Sequence, residues 1–360
     1  MTARTSASTR VLAAVAVAVA LAVGATPASA DPPPAAAGTT SHGFLAKRGR
    51  FTAIEHPGAT TVPATPNGQA GTATTGINDR GQILGVYEGR DRVIRHFVRD
   101  GRGRFTRINE ARLLAPGQFD EFVDINNRGQ IVGFYNDDQR VTTTGFLRTR
   151  RGRFVDIDVP GSQVTGPLKI NDRGQVVGIY VDGDAEPNAD GTTPAGVLHG
   201  FVREDGDYET IDVPGAAATF PTGINNRGQM VGSYIDAEGA YHGFVRDRRG
   251  AVATLPEAPG VDPVSGGTQP ASLNERGQIV GLAYDAEGGS RAFLFERGRF
   301  TMIDGPEAAY TRALDINNSG QIVGDYGTKP PAAARSSTAG RVHLGRGLRL
   351  RVGRGQTWLP

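Results

Sequence analysis

Ile77-Asn78-Asp79-Arg80-Gly81-Gln82-Ile83-Leu84-Gly85-Val86-Tyr87 decides the reading of this 360-residue chain, because the stretch returns five more times. The later copies centre on Asn126, Asn171, Asn225, Asn274 and Asn317, at successive spacings of 48, 45, 54, 49 and 43 residues. The shared pattern is Ile-Asn-Asx-Arg-Gly-Gln-Ile-Val-Gly-x-Tyr. The fifth copy has Leu273, Glu275 and one extra residue before Tyr284, and the sixth has Ser319 in place of arginine. A repeat of this period marks an architecture built from one recurring supersecondary unit.

Two further segments recur in step. A His-Gly-Phe-Val-Arg type segment surrounds Phe44, Phe97, Phe146, Phe201, Phe244 and Phe293, and a Phe-x-x-Ile-Asp type segment starts at Phe51, Phe105, Phe154, Tyr208, Val252 and Phe300. Each is short, rich in β-branched and aromatic residues, and bounded by glycine turns, which is strand chemistry. Asn-Asx-Arg-Gly fits a type I turn followed by a glycine bulge, so the Ile-Asn strand folds back onto Gln-Ile-Val-Gly. The asparagines are expected to cap these turns through side-chain to backbone bonds.

Four strands per period predict an all-β chain: a six-bladed β-propeller of four-stranded blades, with about 24 strands. The longer Ile-Asp-Val-Pro-Gly segments cross between blades. The chain then opens on two outer strands, near Gly43 to Glu55, and ends its last repeat on two inner strands, Ala313 to Tyr326. Pairing the two halves completes one blade and removes free sheet edges. A seven-bladed ring is the alternative, and it requires strands from the C-terminal tail.

The repeat resembles the HAF repeat of secreted bacterial proteins. The resemblance rests on the six Ile-Asn-Asx-Arg-Gly-Gln-Ile-Val-Gly segments and on the His-Gly-Phe segments, with Arg291-Ala292-Phe293 nearest to a literal His-Ala-Phe. It covers about Ser41 to Tyr326 and implies an extracellular repeat protein of propeller type. It implies no particular activity and brings no catalytic residues. After Tyr326 the pattern stops where another His-Gly-Phe segment is expected.

The ends read differently from the repeats. Arg4 and Arg10, the apolar run Val11 to Val23 and Ala28-Ser29-Ala30 form a secretory signal over 1–30, cleaved after Ala30. Thirteen apolar residues are too few to span a bilayer of about 20 residues' depth. No later stretch is apolar enough to do so. Residues 31–40 form a Pro- and Ala-rich linker, 41–326 the repeat domain, and 327–360 a basic tail. That tail has no acid and seven cations, from Lys329 to Arg354. It reads as disordered, as a patch adhering to anionic surfaces, or as the product of a shifted reading frame.

The composition sharpens once it is divided. The chain's net +2 contains +2 from 1–30 and +7 from 327–360, so 31–326 carries −7. The repeat domain is acidic and has no basic surface for nucleic acid. The absence of cysteine excludes disulfides, thiolate metal sites and a cysteine nucleophile. The 51 glycines fit hairpin turns better than helices.

No Gly-x-Ser-x-Gly, phosphate loop, His-Glu-x-x-His or dinucleotide fingerprint is present. A secreted, monomeric binding or scaffold protein follows, with an extracellular glycan, cell-wall or protein ligand. The alternative is a metal-dependent hydrolase or lyase with its site at the channel. Phe119, Phe220 and Tyr310, assigned to crossing loops, are the candidate ligand-binding aromatics. Asp182, Asp184 and Asp190, with Glu186 nearby, form an acidic loop whose oxygen ligands suit Ca²⁺. Asp124 and Asp315, just before their Ile-Asn pairs, are the inner-strand carboxylates to check for a channel site. The matching positions are Gly76, Lys169, Gly223 and Ser272, so no carboxylate ring is expected. Four histidines, His42, His96, His199 and His242, recur at one repeat position or within a residue of it, which points to packing or turn roles.

Overall fold

The Asn-Asx-Arg-Gly turns organise the chain. A computed structural model describes residues 40–60, 70–91, 93–108, 120–137, 142–182, 198–286 and 289–328. At each turn the glycine N–H donates to the carbonyl of the leading asparagine, from Gly81 to Asn78 at 3.0 Å through to Gly320 to Asn317 at 3.0 Å. Gly81, Gly129, Gly174, Gly228, Gly277 and Gly320 all have φ between 70° and 90°, the left-handed region that glycine enters without penalty.

Each turn joins the first two strands of a four-stranded antiparallel unit. The first strands are β3 (Ala70–Ile77), β7 (Asp120–Ile125), β11 (Ser162–Ile170), β15 (Ala218–Ile224), β19 (Thr268–Leu273) and β23 (Ala308–Ile316). They pair with β4 (Ile83–Glu88), β8 (Ile131–Asp137), β12 (Val176–Asp182), β16 (Met230–Ile235), β20 (Ile279–Tyr284) and β24 (Gln321–Thr328). Third strands follow in β5 (Ile94–Arg99), β9 (Thr142–Arg148), β13 (Leu198–Glu204), β17 (Tyr241–Arg246) and β21 (Ser290–Glu296). The fourth strands are β6 (Phe105–Arg107), β10 (Phe154–Ile157), β14 (Asp207–Ile211), β18 (Val252–Thr254) and β22 (Arg299–Ile303).

The sixth unit is completed from the other end of the chain. β24 pairs antiparallel with β1 (Thr40–Lys47), from Thr40↔Thr328 to Lys47↔Gln321, and β1 pairs with β2 (Arg50–Ile54). The described residues thus hold 24 strands and no helix, in one compact unit. The strands begin at Thr40 and end at Thr328, slightly outside the expected 41–326. The expected signal, nearly all of the linker, and the tail beyond Thr328 lie outside the described residues.

The third strand supplies the centre of each unit. Phe44, Phe97, Phe146, Phe201, Phe244 and Phe293 are all fully buried, each contributing about 1.5–3 kcal/mol of apolar burial. The second-strand glycine is a consequence of that packing. A Cβ on Gly85 would lie 2.5 Å from both the Ala73 carbonyl oxygen and Phe97 Cζ. Glycine therefore lets the phenylalanine ring close over the strand.

Candidate functional site

Every first strand carries the same irregularity. The register against the second strand slips between Thr74 and Gly76, Phe122 and Asp124, Pro167 and Lys169, Pro221 and Gly223, Pro270 and Ser272, and Ala313 and Asp315. A bulge places one extra residue on the bulged strand and breaks its strict alternation of faces. Two successive positions therefore line the space that the six first strands share. Thr75, Val123, Leu168, Thr222, Ala271 and Leu314 border a small cavity of about 40 Å³. Asp124, Lys169, Ser272 and Asp315 border a second, of about 80 Å³, at the asparagine-turn end. Lys169 borders both.

The asparagines do more than cap their own turns. Asn78 Oδ1 accepts from the N–H groups of Arg80 and Gln82 at 3.1 and 3.0 Å, which fixes the hairpin. Its amide nitrogen donates to the Asn126 carbonyl of the next unit at 3.0 Å. The same bond runs from Asn126 to Asn171, Asn171 to Asn225, Asn225 to Asn274 and Asn274 to Asn317. Asn317 then donates to the carbonyl of Asn78 at 3.1 Å. The series returns to its start after six bonds.

One residue further on, a second series runs beside the first. Its members are Asp79, Asn127, Asp172, Asn226, Glu275 and Asn318, so carboxylates and carboxamides alternate. Each backbone N–H donates to the side chain of the following unit, from Asp79 to Asn127 at 2.7 Å round to Asn318 to Asp79 at 2.7 Å. Asn127 Nδ2 also donates to both Asp79 and Asp172, at 2.8 and 2.7 Å. The amides thereby separate carboxylates that would repel one another if adjacent, and fill their lone pairs.

Beneath this belt lies a buried ion cluster. Lys169 Nζ is 2.7 Å from Asp315 Oδ1 and 3.2 Å from Asp124 Oδ1. Ser272 Oγ and the N–H groups of Ile77 and Ile316 also donate to Asp315, at 2.6, 2.6 and 2.9 Å. The Ile170 N–H donates to Asp124 at 2.9 Å. Burial opposes the charge on Lys169, yet the two carboxylates hold its pKa above the usual lysine value. Burial pushes the Asp124 carboxyl up to about 6; Lys169 limits the rise and Asp315 adds to it. The two inner-strand carboxylates are thus brought together, with an ammonium as their shared counter-ion. Among the described residues no three His, Asp or Glu side chains converge as a metal-ligand set.

The ligand-binding aromatics fare differently. Phe220 is corrected: β15 starts at Ala218, so Phe220 lies in a strand rather than a crossing loop. Its ring is 2 % exposed and packs with Leu168, Ile179 and Ala218 as core. Tyr310 likewise lies in a strand, β23, rather than in a crossing loop, and is half-buried, with the Arg312 guanidinium 5.5 Å from its ring centre. Burial, and then the Asp325 carboxylate, push its phenol up to about 12. Phe119 lies outside the described residues, as do Asp184 and Asp190 of the acidic loop. Asp182, the exposed last residue of β12, sits 3.5 Å from His199 Nε2. His199 and His242 pair with Asp212 and Asp236, and His42 with Glu55.

The alternating belt could have been found in the sequence, since its members occupy one repeat position. Reading that position as a generic Asx concealed the alternation. The reach of Lys169 to two other units has no local signal.

No family model matches the chain, and no curated protein matches it in sequence. Solved structures do. A TolB-type protein from Agrobacterium tumefaciens is 9% identical with a TM-score of 0.54, over 81% of this chain and 99% of that one. TolB from Acinetobacter baumannii is 10% identical with a TM-score of 0.46; the match covers 83% of this chain and spans 65% of that one. The BP39L lectin from Burkholderia pseudomallei is 13% identical with a TM-score of 0.39, over 82% and 98% of the two chains. No helix among the described residues is long and apolar enough to cross a membrane. The Agrobacterium match shows a shared propeller-type fold, and the likeness ends at the fold.

Proposed function

We propose that the chain is a secreted, monomeric HAF-repeat protein whose six units close into a six-bladed propeller, and that it acts as a binding module for an extracellular glycan, cell-wall or protein surface. Two series of bonds that return to their starting unit, and the β24–β1 pairing, support closure. On a closed ring Lys169, of the third unit, reaches Asp315 on the opposite side and fills the axis.

One observation carries the non-catalytic reading. The carboxylates at the axis are already engaged: Asp124 and Asp315 by Lys169, Asp79 and Asp172 by asparagine amides, and Glu275 by the Asn226 N–H. Catalysis at the channel needs a carboxylate, imidazole or metal-bound water free to meet substrate. Here any metal must displace a lysine held by two buried carboxylates.

The test is retention of the purified full chain on isolated cell envelope and on a glycan array, with metal analysis and a hydrolase panel on the same sample. Specific retention without turnover is expected. Turnover of an ester, lactone or glycoside that tracks bound metal and is lost in D124N or D315N would overturn the reading.

A further inference from the structure

The third and fourth strands of each unit face one another through a repeated cross-strand pair. In three units it is arginine against an aromatic ring: Arg99–Phe105, Arg148–Phe154 and Arg203–Tyr208. The guanidinium carbons lie 5.9, 5.9 and 5.8 Å from the ring centres. The fifth unit has Phe295–Phe300 and the sixth Ala46–Phe51. Only the fourth unit lacks the ring, pairing Arg246 with Val252.

Arg246 nevertheless stays where its counterparts sit. A Cβ on Gly250 would lie 3.4 Å from Arg246 Nη2, against 3.2 Å for the equivalent Gly103 and Arg99. No ring stacks on this guanidinium from the fourth strand; its Nη2 donates to Glu209 at 2.9 Å and its Nη1 lies 4.0 Å from Met230 Sδ. Where that ring is missing there is a groove of about 470 Å³ between the third and fourth units, bordered by Asp212, Pro214, Tyr234, Arg246, Val252 and Thr254 among others. Its size falls within the roughly 300–1,000 Å³ of small-molecule sites.

We propose that this groove binds a saccharide ring; the proposal rests on the glycan alternative of the binding-module reading above. The lining supplies what a sugar needs. Val213, Pro214 and Val252 offer an apolar floor for a C–H face. The Tyr234 hydroxyl and Thr254 Oγ1, 3.1 Å apart, and the Asp212 carboxylate, 2.9 Å from His199 Nδ1, offer donors and acceptors to ring hydroxyls. Arg246 is 17% exposed, with Nη2 on Glu209 at 2.9 Å, and adds a charged donor. That arginine is already neutralised, and Asp212 lies on the rim, so phosphate and other polyanions are disfavoured.

The test titrates the full chain with methyl glycosides of hexoses, 6-deoxyhexoses and N-acetylhexosamines, and then repeats the titration on V252F and T254V. V252F installs the ring that the other units carry at this position, so it closes the groove with a residue the fold accommodates. T254V removes one hydroxyl at constant volume. At least one glycoside is expected to bind the wild type, tenfold or more weakly to V252F and several-fold more weakly to T254V, with melting temperatures within a few degrees. Wild-type affinity in both variants would place the sugar elsewhere, overturning the groove while glycan binding stands. Absence of binding by every glycoside to the wild type would overturn glycan binding and the groove with it.

Discussion

The axis and the lateral groove are made from the same repeat and treat it in opposite ways. At the axis each unit's asparagine bonds to the next unit, so no position is independent of its neighbours. At the lateral face the cross-strand pair closes within its own unit, so Val252 can replace an aromatic without disturbing the other five. A repeat protein is constrained where its units touch in series and free where each unit packs against itself. The asparagine series accordingly ties each unit to the next, and the departures at the sides of the units are where the proposed recognition has room to arise.

The sharpest way to break this comparison is to attack the axis at Lys169. K169M leaves Asp124 and Asp315 buried without their cation, and is expected to cost about 3–5 kcal/mol, read as a lowered denaturant midpoint. A loss below 1 kcal/mol would mean that the cluster is hydrated and does not lock the axis. A smaller effect is expected in the belt. N127D sets a third carboxylate between Asp79 and Asp172 and removes two amide donations, costing about 1–3 kcal/mol at neutral pH. Part of that loss should return near pH 4, where the new carboxyl takes a proton and can donate. A substitution at Arg80, exposed at the neighbouring turn position, should cost far less, and equal costs would dissolve the distinction.

The last expected effect is a pH dependence. The Asp124 carboxyl titrates higher in the folded chain, near 6, than in the unfolded chain, near 3.8. Between those values the folded state binds the extra proton, so this group makes the protein more stable as pH falls from 7 toward 4. Wild type should therefore gain stability on D124N as pH falls over that range. A gap that stays constant, or widens as pH rises, would contradict the placement of Asp124.

Much of this architecture was legible because the repeat repeats its physics. Ile-Asn-Asx-Arg-Gly specifies a strand, a turn and a positive-φ glycine within five residues, all local. The partner of Asn317 is Asn78, 239 positions away, and follows only if the chain closes on itself. Lys169 looked like the residue that spoiled a carboxylate ring; its long side chain instead joins two carboxylates contributed by other units. Phe220 was misplaced because the crossing into the fourth unit ends earlier than its length suggested, at Ala218. Val252 stood in plain view as the one non-aromatic residue at its repeat position. Its consequence needed the position of Arg246.

Closure of the six units bears on all of these points, and the absence of native cysteine makes it directly measurable. Lys47 and Gln321 are cross-strand partners at one end of the β1–β24 pairing. Antiparallel partners have Cα atoms about 4.5–5.5 Å apart, within reach of a disulfide. In the K47C/Q321C double variant, mild oxidation should give a monomer that migrates faster on a non-reducing gel and slows on reduction, with its thiols consumed. Free thiols after oxidation, or bridges formed only between molecules, would show that the first and last strands do not meet and that the ring is open.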